Sequence, residues 1–150
     1  MRSYDYATRK GIRAVSWEDV AEMSRRLAES LEAEKVDIVL GIARAGLIPA
    51  TVVAGEIRRE LYPIRLTRRI NDEIVFKRPR WLVQTPPLGG KTVGIIDEIA
   101  DTGETLRLAR QSAQNAGAGR IVTATMVTHS WAAPRPDIAV VATDELIVWP

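Results

Sequence analysis

Two neighbouring carboxylates, Asp97 and Glu98, close an apolar run, Val93-Gly94-Ile95-Ile96, and the chain then turns through Asp101-Thr102-Gly103-Glu104-Thr105 into residues with helical spacing from Leu106. Adjacent acids at the end of a buried strand repel each other, and any anion, unless they face hydroxyls or a cation. The turn has the opposite preference. Unpaired backbone N–H groups and the dipole of a starting helix favour an anion, Gly103 permits a tight turn, and Thr102 and Thr105 add hydroxyls. By itself such a turn is also an ordinary helix N-cap. Together the two halves describe one ligand, a phosphorylated sugar, with its phosphate on the turn and vicinal hydroxyls on Asp97 and Glu98. A Mg²⁺ carried by that ligand suits the oxygen donors.

Two rival phosphate motifs fail on their context. Gly90-Lys91-Thr92 has the end of a P-loop, but Thr85 stands where its first glycine belongs, and a strand rather than a helix follows. Gly41-Ile42-Ala43-Arg44-Ala45-Gly46 imitates a dinucleotide fingerprint with alanine at the central glycine. Arg65 and Thr67, not an acid, end the next strand where a ribose would be held.

The elements that must position these residues alternate. Ser16-Trp17-Glu18-Asp19 reads as a capping box, followed by Val20, Met23, Leu27 and Leu31 on one face of a helix running to about Glu34. Val36–Leu40 reads as a strand, 41–46 as a small-residue turn, and the next residues as a helix through about Glu60. Tyr62–Thr67 is a second strand. Residues 68–90 carry charges, three prolines and no sustained periodicity, which predicts a long excursion with a hairpin. Lys91–Asp97 is the strand of the acid pair and Thr105–Ala116 its helix, stopped by Gly117-Ala118-Gly119. Arg120–Thr128, Ile138–Ala142 and Leu146–Trp149 complete the strands. Strands alternating with helices imply a mostly parallel sheet with right-handed crossovers, whose ligands bind at the strands' carboxyl ends.

Composition bounds the chemistry. The 150 residues are 46% hydrophobic, enough for one domain with a real core. No cysteine and one histidine exclude a disulfide scaffold and a thiolate zinc site. Met1–Tyr6 shows no secretory signal, and Val36–Gly55 holds Asp37, Arg44, Pro49 and three glycines, which a membrane span tolerates poorly; a cytoplasmic protein is expected. Net charge is +2, yet residues 56–80 hold eight basic side chains against four acids, leaving 13 basic and 15 acidic elsewhere. Such a segment suits an anionic ligand, and equally a solvated arginine-rich surface.

With these residues assembled, the chain resembles the type I phosphoribosyltransferase family over about residues 36–150. The carrier is Asp97-Glu98-Ile99-Ala100-Asp101-Thr102-Gly103-Glu104-Thr105, which follows the family signature position by position. The resemblance implies a type I phosphoribosyltransferase fold in one domain, 1–150. It has an N-terminal helical segment at 1–35, a mobile lid at 68–90 and a small C-terminal hood at 129–150.

It also implies roles. Asp97 and Glu98 would hold the ribose hydroxyls of 5-phosphoribosyl 1-pyrophosphate, beside its Mg²⁺, and count with Asp101 as catalytic. Asp101, Thr102, Gly103, Glu104 and Thr105 would cradle the 5-phosphate. Ala43, Arg44, Ala45 and Gly46, with a non-proline cis bond at Ala43–Arg44, would meet the pyrophosphate together with Arg68 and Arg69 from the lid. Asp101 would manage a ring proton of a purine acceptor. In the small hypoxanthine, xanthine and guanine branch a lysine and an aromatic residue read the base; His129 and Leu146 stand there instead, while Ala45 replaces the usual glycine. Trp131 and Trp149 could supply stacking, or simply pack. The expectation is transfer to a 6-oxopurine in a homodimer or homotetramer, with no membrane and no nucleic acid partner. The alternatives are a phosphoribosyltransferase-fold sensor that binds a nucleotide or sugar pyrophosphate and nucleic acid, and a transferase for a non-purine acceptor.

Overall fold

The computed structural model describes residues 9–150, so Met1–Tyr6, read for a signal segment, lies outside the described residues. Strand β1 (Ile12–Ala14) leads into helix α1 (Trp17–Ala33). The capping box forms: Ser16 Oγ accepts from the Asp19 amide at 3.1 Å, and Asp19 Oδ2 accepts from the Ser16 amide at 2.9 Å. Helix α1 buries Val20, Met23, Leu27 and Leu31, the face its spacing predicts.

Strand β2 (Ile38–Ile42), helix α2 (Leu47–Ile57) and strand β3 (Glu60–Thr67) form the first parallel crossover unit. Helix α2 ends three residues earlier than the sequence reading placed it. Arg58 adopts a left-handed conformation (φ 54°), and that freed chain starts β3 at Glu60.

Residues 68–90, the expected lid, hold three short strands. Strands β4 (Arg69–Ile70) and β5 (Glu73–Ile74) make a hairpin whose turn residues, Asn71 and Asp72, both have positive φ, as a two-residue hairpin turn requires. Strand β6 (Arg80–Val83) then pairs antiparallel with β3, and Leu88 is buried at 1% exposure. Strands β4 and β5 pair with each other and lie outside the six-stranded sheet.

Strand β7 (Thr92–Ala100) is followed by helix α3 (Glu104–Asn115) and strand β8 (Arg120–Thr128). Strand β7 runs three residues past its predicted end, because Ile99 and Ala100 continue the parallel ladder opposite Val127 and Thr128. The acid pair therefore sits within a strand, and the loop shrinks to Asp101–Gly103. Strand β9 (Ile138–Ala142) joins the main sheet beside β8, whereas β10 (Leu146–Val148) pairs parallel with β1. The hood is thus shorter than 129–150, and the N-terminal segment is not helical alone.

The six-stranded sheet has the order β6-β3-β2-β7-β8-β9, parallel except for β6. One face carries α1 and α2, with Leu27, Leu31 and Val53 packed on Val39 and Ile96. The other carries α3, with Leu106, Ala109 and Ala113 on Leu40, Ile42 and Ile95. After β2 the chain steps outward to β3 and later returns to place β7 on the other side. The carboxyl ends of β2 and β7 flank that reversal, the crevice where open α/β sheets bind ligands. No helix among the described residues is long and apolar enough to cross a membrane.

Candidate active site

The loop after β2 and the loop after β7 meet at this crevice. The Ala43–Arg44 bond is cis, as the resemblance implied. Gly46 lies under the loop against β7: a Cβ there would stand 2.6 Å from the Ile42 carbonyl oxygen and 2.9 Å from both Asp97 Cα and Oδ1. Only glycine lets the loop lie this close to β7.

Asp97 is 8% exposed. Its Oδ1 accepts from the Glu98 amide at 2.9 Å. Loss of solvent, and then the neighbouring charge of Glu98, push its carboxyl well above the usual carboxylate range, and nothing cationic among the described residues offsets them. Glu98 lines a cavity of about 210 Å³ with Ala43, Arg44, Ala45, Arg65, Thr67, Arg69 and Asp72. Arg44 is tied across it to Asp72 of the hairpin at 2.5 Å. Carboxylate on one wall and cations on the other suit a polyol that also carries an anion.

A second cavity, about 520 Å³, adjoins the first and shares Thr67 and Arg69 with it. Asp101, Thr102, Glu104 and Thr105 form one wall, and Arg68, Arg69, Lys77 and Arg78 the other. Gly103 begins α3 with φ 85° and offers no side-chain cap; the Glu104 amide donates to Thr102 Oγ1 at 3.4 Å, and the N–H groups that follow it in the first turn suit an anion. Behind it the Ala133 amide donates to the Thr102 carbonyl at 2.9 Å, bracing the turn. Four cations facing a helix N-terminus suit a phosphate.

With that geometry described, the family follows. A family model described as phosphoribosyl transferase domain matches residues 15–150. The chain belongs to this family. Xanthine-guanine phosphoribosyltransferase of Cereibacter sphaeroides is 34% identical over 112 residues, covering 64% of this chain and 62% of the relative. The corresponding protein of Nitratidesulfovibrio vulgaris is 32% identical over 106 residues, covering 65% of this chain and 60% of the relative. The chain therefore spans a little under two thirds of these relatives. The crystal structure of a purine phosphoribosyltransferase from Pyrococcus horikoshii superposes with a TM-score of 0.84 at 30% identity, over 93% of this chain and 92% of that one.

Within this phosphoribosyltransferase fold the predicted residues divide. Ala43, Arg44, Ala45, Arg69 and Glu98 share the smaller cavity, with Asp97 and Gly46 packed against each other behind it. Arg68, paired with Arg69 in the sequence reading as a pyrophosphate contact, instead lines the larger cavity with the phosphate turn, and its Nε donates to the Phe76 carbonyl at 3.3 Å. Arg69 lines both cavities. His129 and Leu146 line neither cavity. His129 is 1% exposed, its Nδ1 lies 2.5 Å from the Thr143 carbonyl oxygen, and its ring stacks on Trp131. Leu146 belongs to β10, opposite Ile12.

The sequence reading missed Arg65, Thr67 and Asp72 in one cavity and Lys77 and Arg78 in the other. The basic density of 56–80 signalled the cations as a group without saying which faced inward. It also missed Arg9, whose Nη2 is 3.3 Å from Asp101 Oδ1, across 92 residues of chain.

Proposed function

We propose that this chain is a phosphoribosyltransferase that moves the 5-phosphoribosyl group from 5-phosphoribosyl 1-pyrophosphate to a purine base, a 6-oxopurine by preference, releasing pyrophosphate. The observation that carries this reading is the pair of adjoining cavities that share Thr67 and Arg69, with Glu98 lining one and Asp101 the other. A sugar bearing anions at both ends fits between them. Its 5-phosphate lies on the Thr102–Thr105 turn opposite Arg68, Lys77 and Arg78, and its pyrophosphate lies on Ala43–Ala45 opposite Arg69. Glu98 and Asp97 take the ribose hydroxyls between them.

Among the described residues no cluster of three metal-ligating side chains comes together. The buried Asp97 carboxyl beside Glu98 fits a divalent ion that arrives on the pyrophosphate and keeps most of its own waters. When bound, Mg²⁺ would supply charge neutralisation for the departing pyrophosphate. The chain's own contribution is position: the turn and the cis loop fix the two ends of the donor, and the hairpin excludes water that would intercept the sugar. Asp101, at the wall of the larger cavity, is placed to accept or return the ring proton of the base.

The relatives named for xanthine and guanine and the purine-named structure support a purine acceptor. A cytoplasmic setting and a homodimer or homotetramer belong to the same reading. The test is nucleotide formation from hypoxanthine, guanine, xanthine and adenine with the purified protein, Mg²⁺ and the sugar pyrophosphate. Product from an oxopurine is the expected result, and no product from any of the four would refute the reading. Asp101→Asn should lower kcat by about 100-fold or more, with KM for the sugar pyrophosphate within about threefold.

A further inference from the structure

Asp101 is approached by side chains from two distant parts of the chain, Arg9 and the 129–131 segment. Trp131 Nε1 donates to its Oδ1 at 3.0 Å, and Arg9 Nη2 reaches the same oxygen at 3.3 Å. The Arg9 guanidinium lies 5.0 Å from the Trp131 ring centroid. Trp131 in turn stacks on His129 at 4.6 Å, and the Thr143 carbonyl fixes that imidazole.

The Arg9 side chain is 8% exposed, yet its Nε and Nη1 are buried without a hydrogen-bond partner among the described residues. Burying a guanidinium with most of its donors unmet is costly, and a long apolar side chain would fill the same space at least as favourably. Packing therefore does not explain an arginine here. What only a cation with an N–H can do at this place is hold the Asp101 carboxylate.

We propose that Arg9 is a positioning residue for Asp101: with Trp131 it pins Oδ1, and the carboxylate then presents Oδ2 to the acceptor base. This rests on the transferase reading above. Strand β1 delivers Arg9 to the site. The Lys10 amide donates to the Asp144 carbonyl at 3.0 Å, and Leu146 donates back to Gly11 at 2.8 Å. A carboxylate with one oxygen fixed by two donors has its plane fixed as well, so the second oxygen meets the base without a search.

The test is steady-state kinetics with Mg²⁺, the sugar pyrophosphate and the best oxopurine acceptor, on wild type, Arg9→Met, Arg9→Lys, Trp131→Phe and Lys10→Ala, each checked by a melting curve. Arg9→Met is expected to lower kcat about tenfold or more while KM for the sugar pyrophosphate stays within about twofold. Arg9→Lys should recover part of the loss, and Trp131→Phe, which keeps the stack but removes the indole N–H, should lower kcat in the same sense. Lys10→Ala removes a neighbouring contact of the same strand and should leave kcat near wild type. If Arg9→Met does not fold, Arg9→Lys and Trp131→Phe decide the matter. Unchanged turnover in the variants, or an equal fall in Lys10→Ala, overturns the role. Faster turnover in Arg9→Met also overturns it, by showing that Arg9 obstructs the acceptor. A wild type that makes no nucleotide overturns the transferase reading and this role with it.

Discussion

Asp97 is buried against Gly46, and its carboxyl is pushed up by loss of solvent and by Glu98. A carboxyl with a higher pKa folded than unfolded binds its proton more tightly in the native state. Its contribution to stability is fully present below the unfolded value of about 3.9 and is lost as pH rises through the folded value. Ligand binding calls for the charged form, so stability and binding oppose each other at this residue. Asp97→Asn keeps the shape and removes the charge. It should raise Tm of the free protein by about 2 °C or more near neutral pH, with the gain fading toward about pH 4. The rise in Tm caused by Mg²⁺ and the sugar pyrophosphate should shrink in the same variant. Differential scanning fluorimetry across that pH range, with and without ligand, checks both; a lower Tm for the free variant near neutral pH would contradict the account. Asp97 and the turn to Thr105 were legible in the sequence because their chemistry is local and their types are few. The setting of Asp101 was not, since Arg9 and Trp131 reach it from 92 and 30 residues away.

Among the elements, the turn between β7 and α3 is the one with least room. Gly103 has φ 85°, and a Cβ there would stand 2.4 Å from the Pro134 carbonyl oxygen and 2.8 Å from Ala133 C, both backbone atoms of the loop that braces it. Gly103→Ala is expected to cost about 2–4 kcal/mol, the sum of a left-handed backbone and a forced shift of packed chain. Urea unfolding measures it, and a cost near zero would mean the 129–134 loop yields freely. The same comparison explains which elements the sequence revealed. Helix α1 was readable from Ser16 to its end because its cap and its apolar stripe are both local patterns. Strand β7 outran its reading because Ile99 and Ala100 are held by partners on β8, and no local signal reports a partner. Strand β6 looked like loop because it is an exposed edge, with Leu82 42% and Val83 41% accessible, so burial imposes no alternation on it.

At the scale of the molecule, the sheet places the sugar-phosphate machinery at the ends of β2 and β7, and a separate latch joins the two ends of the chain. Strand β1 pairs with β10, Arg13 bonds Glu145 at 2.7 Å, and Lys10 meets Asp144 at 3.1 Å. Asp144 is the hub of that latch. It accepts from the Ser130 amide at 2.9 Å and the Ser130 hydroxyl at 3.0 Å, so three segments converge on one carboxylate. The Ser130 amide first, and then Lys10 and the Ser130 hydroxyl, hold its pKa down to about 2 against the partial burial that raises it. A carboxyl with a lower pKa folded than unfolded contributes stability that is present above about 3.9 and is lost as pH falls through the folded value. Asp144→Asn should therefore lower Tm near neutral pH, and the gap to wild type should close between about pH 4 and about pH 2. The bond from the Lys10 amide to the Asp144 carbonyl, which holds Arg9 beside Asp101, survives Asp144→Asn, so the same variant should leave turnover near wild type. Thermal melts over that acid range, paired with kcat and KM near neutral pH, test both halves. A gap that persists at the acid end would assign the loss to packing rather than charge, and a fall in turnover would show that the Asp144 side chain, and not the backbone bond alone, sets Arg9.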